Sequence, residues 1–143
     1  MSVIFSKKCE YGLQAILYLA SKNDKEFFSA KEIASDLKIP KEFVSKILQS
    51  LVNYKIVGSK KGKNGGFFLA KKPSQIRLID IVEAIDGLKV FETCVLGFPD
   101  CKSDVPCPVH YQWGKLRSMA YEMLSAETID KFTDKVLEKI KTL

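Results

Sequence analysis

Cys94, Cys101, Cys107 and His110 fall within seventeen residues, in a stretch broken by Gly97, Pro99, Pro106 and Pro108. The chain has four cysteines and one histidine, so three of its thiols and its only imidazole crowd into this segment. Three thiols and an imidazole make a full ligand set, and a loop punctuated by glycine and proline lets them turn toward a common centre without breaking regular structure. The prolines exclude an arrangement with all four on one face of a packed helix. Soft thiolates select zinc, copper(I) or iron-sulfur clusters, and mixed Cys/His ligation of a two-iron cluster is an established arrangement. The intervening segments are six and five residues long rather than the two-residue gaps of a zinc ribbon, which favours a cluster over structural zinc. Disulfide chemistry and a chance grouping are the alternatives. For any one of these residues alone, a small buried thiol or an ordinary histidine would be the default.

At 143 residues the chain is one domain of ordinary size, large enough for a core. Its first residues lack the order of regions of a signal peptide, and the apolar run over residues 13–20 is far shorter than a membrane span. The expectation is a cytoplasmic protein with no membrane partner. In a reducing cytosol, clustered cysteines serve as ligands or redox groups rather than as structural bridges.

Charge is unevenly placed. Residues 1–75 hold 14 Lys and Arg against 6 Asp and Glu, a net +8, whereas residues 76–143 hold 9 against 11, a net −2. No acidic residue occurs over residues 43–79, which carry Lys46, Lys55, Lys60, Lys61, Lys63, Lys71, Lys72 and Arg77. A solvated lysine face is usually balanced by nearby acids. A one-signed field this long suits attraction to a polyanion backbone and counterion release, so double-stranded DNA is the expected partner.

The elements that carry these charges can be read from spacing. Residues 6–21 predict a helix burying Leu13, Ile16, Leu17, Leu19 and Ala20. Ser29 and Glu32 have the form of a capping box, so a second helix starts at Ala30 and repeats Ala30, Ile33, Ala34 and Leu37 until Pro40. A third, over residues 40–53, places Phe43, Val44, Ile47, Leu48 and Leu51 inward and Lys41, Ser45, Lys46, Gln49 and Ser50 outward. Two helices about a tight turn form a helix-turn-helix, whose second helix enters the major groove. Residues 55–70 then read as two short strands about a Lys-Gly-Lys-Asn-Gly-Gly turn, where Gly62, Gly65 and Gly66 permit positive φ. This is a basic wing able to reach phosphates or a minor groove. The candidate DNA contacts are Ser29, Lys41, Ser45, Lys46, Gln49, Lys60, Lys61, Lys63 and Asn64. Residues 109–125 predict a further helix with Trp113, Leu116, Met119, Ala120 and Met123 in a stripe that must be covered. A last helix with Ile129, Phe132, Val136 and Ile140 could cover part of it; a second copy of the chain is the favoured cover.

The order of these parts resembles the Rrf2 family of bacterial winged-helix transcription regulators, in particular its iron-sulfur members of the IscR type, with the nitric-oxide-sensing NsrR type as a relative. The resemblance covers nearly the whole chain. It rests on Tyr11-Gly-Leu-Gln-Ala-Ile-Leu, Ile39-Pro-Lys-Glu-Phe-Val-Ser-Lys-Ile-Leu48, the Ser59 to Ala70 wing, Ile79-Asp-Ile-Val-Glu-Ala-Ile-Asp-Gly87 and the three cysteines. It implies a mainly α fold with a small β-hairpin, and a homodimer formed through a long C-terminal helix. It also implies that Cys107-Pro-Val-His110 closes a cluster site in which His110 completes a [2Fe-2S] centre, with [4Fe-4S] as the other cluster type. Glu10 matches a first-helix position from which some relatives donate a carboxylate across the dimer, making it the alternative fourth ligand. Lys61 stands where wing-reading members carry arginine, and lysine lacks the planar fork. Ser45 stands where IscR-type proteins carry a glutamate.

The expected division is a winged helix-turn-helix over residues 1–75, a linker helix and cysteine-rich loop over residues 76–108, and dimerisation and C-terminal helices over residues 109–143, in one compact unit. An enzyme would need a nucleophile-base pair or a phosphate-binding glycine motif after a strand. The only histidine lies in the ligand loop, so neither catalysis nor a small-molecule substrate is expected. The expected function is a transcriptional regulator whose DNA binding answers to an iron-sulfur cluster sensing cluster status, redox or nitric oxide. The alternative is a cluster-free regulator controlled by a partner protein, a small ligand or thiol oxidation.

Overall fold

The computed structural model describes residues 5–22, 24–98 and 104–143. Helix α1 spans Lys7–Ser21 and begins where the Ser6 hydroxyl accepts from the Cys9 N–H at 3.0 Å. Ser6 is itself held from far along the chain, donating its backbone N–H and hydroxyl to the Asp86 carboxylate at 2.9 and 2.5 Å. Helix α2, Ala30–Leu37, is capped by the Ser29 hydroxyl on the Glu32 N–H at 3.1 Å. The Glu32 carboxylate turns to the Ser29 hydroxyl at 3.4 Å and to the Lys25 ammonium at 2.6 Å. Its buried residues are Ala30, Ile33, Ala34 and Leu37, as the spacing requires.

Lys38 leaves α2 in the left-handed region at φ 59°, and Pro40 caps α3, Lys41–Asn53. Val44, Ile47, Leu48 and Leu51 are buried, but Phe43, expected inward, is 48% exposed. It lies in the first turn of α3, at the margin of the core, with its ring edge-on to Tyr11 at 5.8 Å. Strands β1, Val57–Lys60, and β2, Gly66–Leu69, pair antiparallel with Val57 opposite Leu69 and Lys60 opposite Gly66. Phe28 joins the hairpin as a third rung, its N–H donating to the Phe67 carbonyl at 3.0 Å and its carbonyl accepting from the Phe67 N–H at 2.7 Å.

Helix α4, Leu78–Ile85, packs on α1; a 3-10 turn at Lys89–Phe91 leads toward the cysteine segment, and α5, His110–Ala126, follows it. The core gathers around Ile16, Tyr18, Ile33, Ile47, Leu48, Leu51, Ile76, Ile81 and Ile129. Truncating any of the isoleucines or leucines among these to alanine costs about 2–5 kcal/mol. A second cluster joins Cys9, Ile79, Val82 and Leu124, and fastens the end of α5 to α1 and α4. The last segment is not one helix: Ile129–Phe132 is a 3-10 turn, followed by α6, Thr133–Lys141. Ile129 is fully buried and donates its N–H to the Ile76 carbonyl at 2.8 Å, and α6 returns onto α1. Of the residues that could have covered the α5 stripe, Ile129 lies in the core and Ile140 packs against it.

Candidate cofactor loop and nucleic-acid interface

Cys94 follows the 3-10 turn at Lys89–Phe91, and Cys107 lies just ahead of α5. The fold brings their Sγ atoms to 3.9 Å. Two sulfurs on one tetrahedral ion with bonds of about 2.3 Å stand about 3.8 Å apart, whereas a disulfide needs about 2.05 Å. The pair is thus in thiol–thiol contact, unbridged, at a separation that a shared metal could also adopt. Burial pushes the Cys94 thiol up, but the N–H groups of Leu96 and Phe98, the Cys107 thiol and the N–H of Gly97 together outweigh it, leaving its pKa below the usual thiol value. Gly97 adopts φ 85°, a left-handed conformation in the turn that carries these N–H groups. Hydrogen bonds to a sulfur favour the thiolate, the form that binds metal, and tune any cluster it holds.

Cys101 lies outside the described residues. His110 opens α5, donates its N–H to the Cys107 carbonyl at 3.1 Å and sets its ring edge-on to Tyr111 at 5.0 Å. Among the described residues no three His, Cys, Asp or Glu side chains gather closely enough to hold an ion, so His110 does not form a three-ligand group with Cys94 and Cys107 in the single chain. Glu10 sits in the first turn of α1, paired with Lys7 at 3.6 Å. The remaining cysteine, Cys9, is fully buried; that burial, reinforced by Asp86, pushes its thiol up to about 12.

Sequence reasoning missed two residues that hold the loop. The Thr93 carbonyl accepts from Trp113 Nε1 at 2.8 Å and from Arg117 Nη1 at 3.3 Å. Trp113 stood out only as a member of an apolar stripe, although an indole N–H usually finds an acceptor when its ring is partly buried. The rest of that stripe is open, with Leu116, Met119 and Met123 at 57, 66 and 63% exposure; Leu124 is the buried residue of α5.

On the basic side, Lys41, Lys46 and Gln49 are exposed along α3, and Ser45 is half-buried between them. Lys60, Lys61, Lys63 and Asn64 are exposed on the wing. Ser29, Lys63 and Asn64 line one cleft of about 410 Å³ with Lys25 and Glu32, so the α2 start and the wing tip share a surface. Lys60 lies 5.0 Å from the centre of the Phe27 ring, a cation-π contact between the hairpin and the segment before α2. Gly62 and Gly66 have positive φ, but Gly65 does not: a Cβ there would stand 1.9 Å from the Lys60 carbonyl oxygen, so this glycine permits a close approach. At Gly66 a Cβ would stand 2.6 Å from the Phe28 carbonyl oxygen.

No helix among the described residues is long and apolar enough to cross a membrane. A family model named Rrf2, described as an iron-dependent transcriptional regulator, matches residues 5–135. A protein of Aquifex aeolicus named as a helix-turn-helix-type transcriptional regulator is 37% identical over 129 residues, covering 89% of each chain. The NsrR regulator of Oceanobacillus iheyensis is 26% identical over 125 residues, covering 87% of this chain and 85% of its own. Among solved structures, the CymR cysteine regulator of B. subtilis superposes with a TM-score of 0.76 at 24% identity, covering 92% of this chain and 96% of that one. IscR of T. potens gives 0.70 at 25% identity, covering 92% and 87%.

Proposed function

The chain belongs to the Rrf2 family of transcriptional regulators, and from that membership and its paired thiols we propose that an iron-sulfur cluster, [2Fe-2S] in the simplest case, governs its DNA binding. It is a DNA-binding winged-helix regulator and not an enzyme. The observation that carries the cluster reading is the 3.9 Å separation of Cys94 and Cys107 beside N–H groups that favour a thiolate. Cys101 and His110 complete the ligand set, with Glu10 of a second copy as the alternative to His110. When bound, such a cluster supplies one-electron redox chemistry and reactivity toward oxygen or nitric oxide.

The chain's own residues do the rest. Cys94 and Cys107 are already paired, and His110 is the first residue of α5, so ligands on the loop and on the helix bias one element. Leu116, Met119 and Met123 meet their counterparts in a homodimer, which sets two α3 helices about one DNA turn apart. Lys60, Lys61 and Lys63 engage phosphates, while Ser45 and Gln49 face base edges. Anaerobic purification followed by visible spectroscopy and iron and sulfide analysis tests this. A chromophore with equal iron and sulfide, lost in Cys94→Ser, is expected; a colourless, iron-free chain overturns it.

The same thiol pair favours a second reading, reversible oxidation to a disulfide. That reading predicts a colourless protein whose DNA affinity changes with hydrogen peroxide and recovers with dithiothreitol.

A further inference from the structure

We infer that Trp113 and Arg117 are positioning residues: through the Thr93 carbonyl they hold Cys94 beside Cys107 and make the cofactor loop and α5 one mechanical unit. This deepens the cluster reading and takes its regulatory meaning from it. The Thr93 carbonyl and the Cys94 nitrogen lie in one rigid peptide plane, so fixing the oxygen fixes the direction in which Cys94 leaves it. Two donors converge on that oxygen, at 2.8 Å from Trp113 and 3.3 Å from Arg117, the second charge-assisted. Thr93 is also tied behind, its hydroxyl donating to the Val90 carbonyl at 3.4 Å. Arg117 keeps its Nε buried without an acceptor among the described residues, an expense of desolvation that a purely surface arginine would avoid.

The clamp residues stand one helical turn apart, and so share a face of α5. Leu116 and Met119 are exposed on the same helix, where a second copy would pack. A shift or rotation of α5 in the dimer therefore pulls on Thr93 and alters the Cys94–Cys107 separation. Conversely, whatever fixes the two sulfurs restrains α5. Such a link is reciprocal by thermodynamic necessity.

The test uses the cluster-free full chain carrying Cys101→Ser, with phenylarsine oxide as a probe that bridges two neighbouring thiols; Cys9 is buried and stays out of reach. Trp113→Phe keeps an aromatic, though smaller, side chain and removes the N–H, and Arg117→Met removes the guanidinium. Each should weaken arsenical capture roughly 2- to 10-fold, the double variant more than about tenfold, and Arg117→Lys should recover part of the loss. Dimer mass and cluster-free DNA affinity should stay unchanged, and Arg117→Lys should restore capture beyond any recovery in melting temperature, since a merely structural role would move all of these together. Capture by the double variant equal to that of the parent, capture losses that track melting, or a parent that does not capture the probe would each overturn the clamp. Wild-type protein without iron but with the clamp effect intact would defeat the cluster reading alone.

Discussion

Cys9 and Cys94 show how environment divides residues of one type. Cys9 is sealed among Ile79, Val82 and Leu124 with Asp86 nearby, and its thiol is pushed up to about 12. Cys94 lies under backbone N–H groups that hold it below the usual thiol value. At pH 8, iodoacetamide should label Cys94 in the cluster-free chain and leave Cys9 unmodified, as peptide mass mapping would show; labelling of folded Cys9 would contradict its burial. Folding favours protonated Cys9, so its contribution to stability is fully present below about pH 9, the ordinary thiol value, and is lost as pH rises through about 12. The meeting of Cys94 with Cys107 was legible in the sequence because residue type and clustering carry chemical information without a fold; Cys101 lies outside the described residues and, among those described, His110 does not join the pair. The Thr93 clamp was not, because a carbonyl oxygen bears no sequence signature and its two donors lie 20 and 24 residues away.

At the scale of elements, the helix-turn-helix and wing were legible because their signals are local. Ser29 caps α2, Pro40 marks the entry to α3, and aliphatic residues repeat at helical spacing. Phe43 departed from the pattern because periodicity assigns a face but does not say where the core beneath that face ends. Gly65 departed for a related reason: its role depends on the Lys60 carbonyl across the turn and not on its own φ. Gly65→Ala should accordingly distort the wing, weakening DNA binding about tenfold in a fluorescence anisotropy titration while leaving α1 to α6 folded by circular dichroism. Unchanged affinity would mean that the wing tip does not take part. Gly62→Ala, with open space around its Cβ but a φ of 111°, strains only the turn and should do less.

For the whole molecule, the open stripe on α5 and the return of α6 onto α1 argue together. Because α6 returns to α1 and Ile129 enters the core, the chain has committed its own apolar cover elsewhere. Deleting everything from residue 109 would also remove Ile129 and Leu124 from the two cores, so charge substitutions isolate the interface better. Leu116→Glu with Met119→Glu should convert a dimer to a folded monomer by light scattering and weaken operator binding at least tenfold; a persistent dimer would place the contact elsewhere. For the proposed dimer, neutralising about four to six phosphates gives a slope of log affinity against log salt of roughly −4 to −5, and a flat response would exclude the lysine-rich wing and α3 as the DNA surface. The exchange of hydrogen bonds between Phe28 and Phe67 also bears on kinetics. A hairpin tied down one residue from its turn meets DNA already folded, so little ordering has to follow first encounter. Capture should then be limited by diffusion and charge steering, and added salt should slow arrival far more than it shortens the residence of the complex.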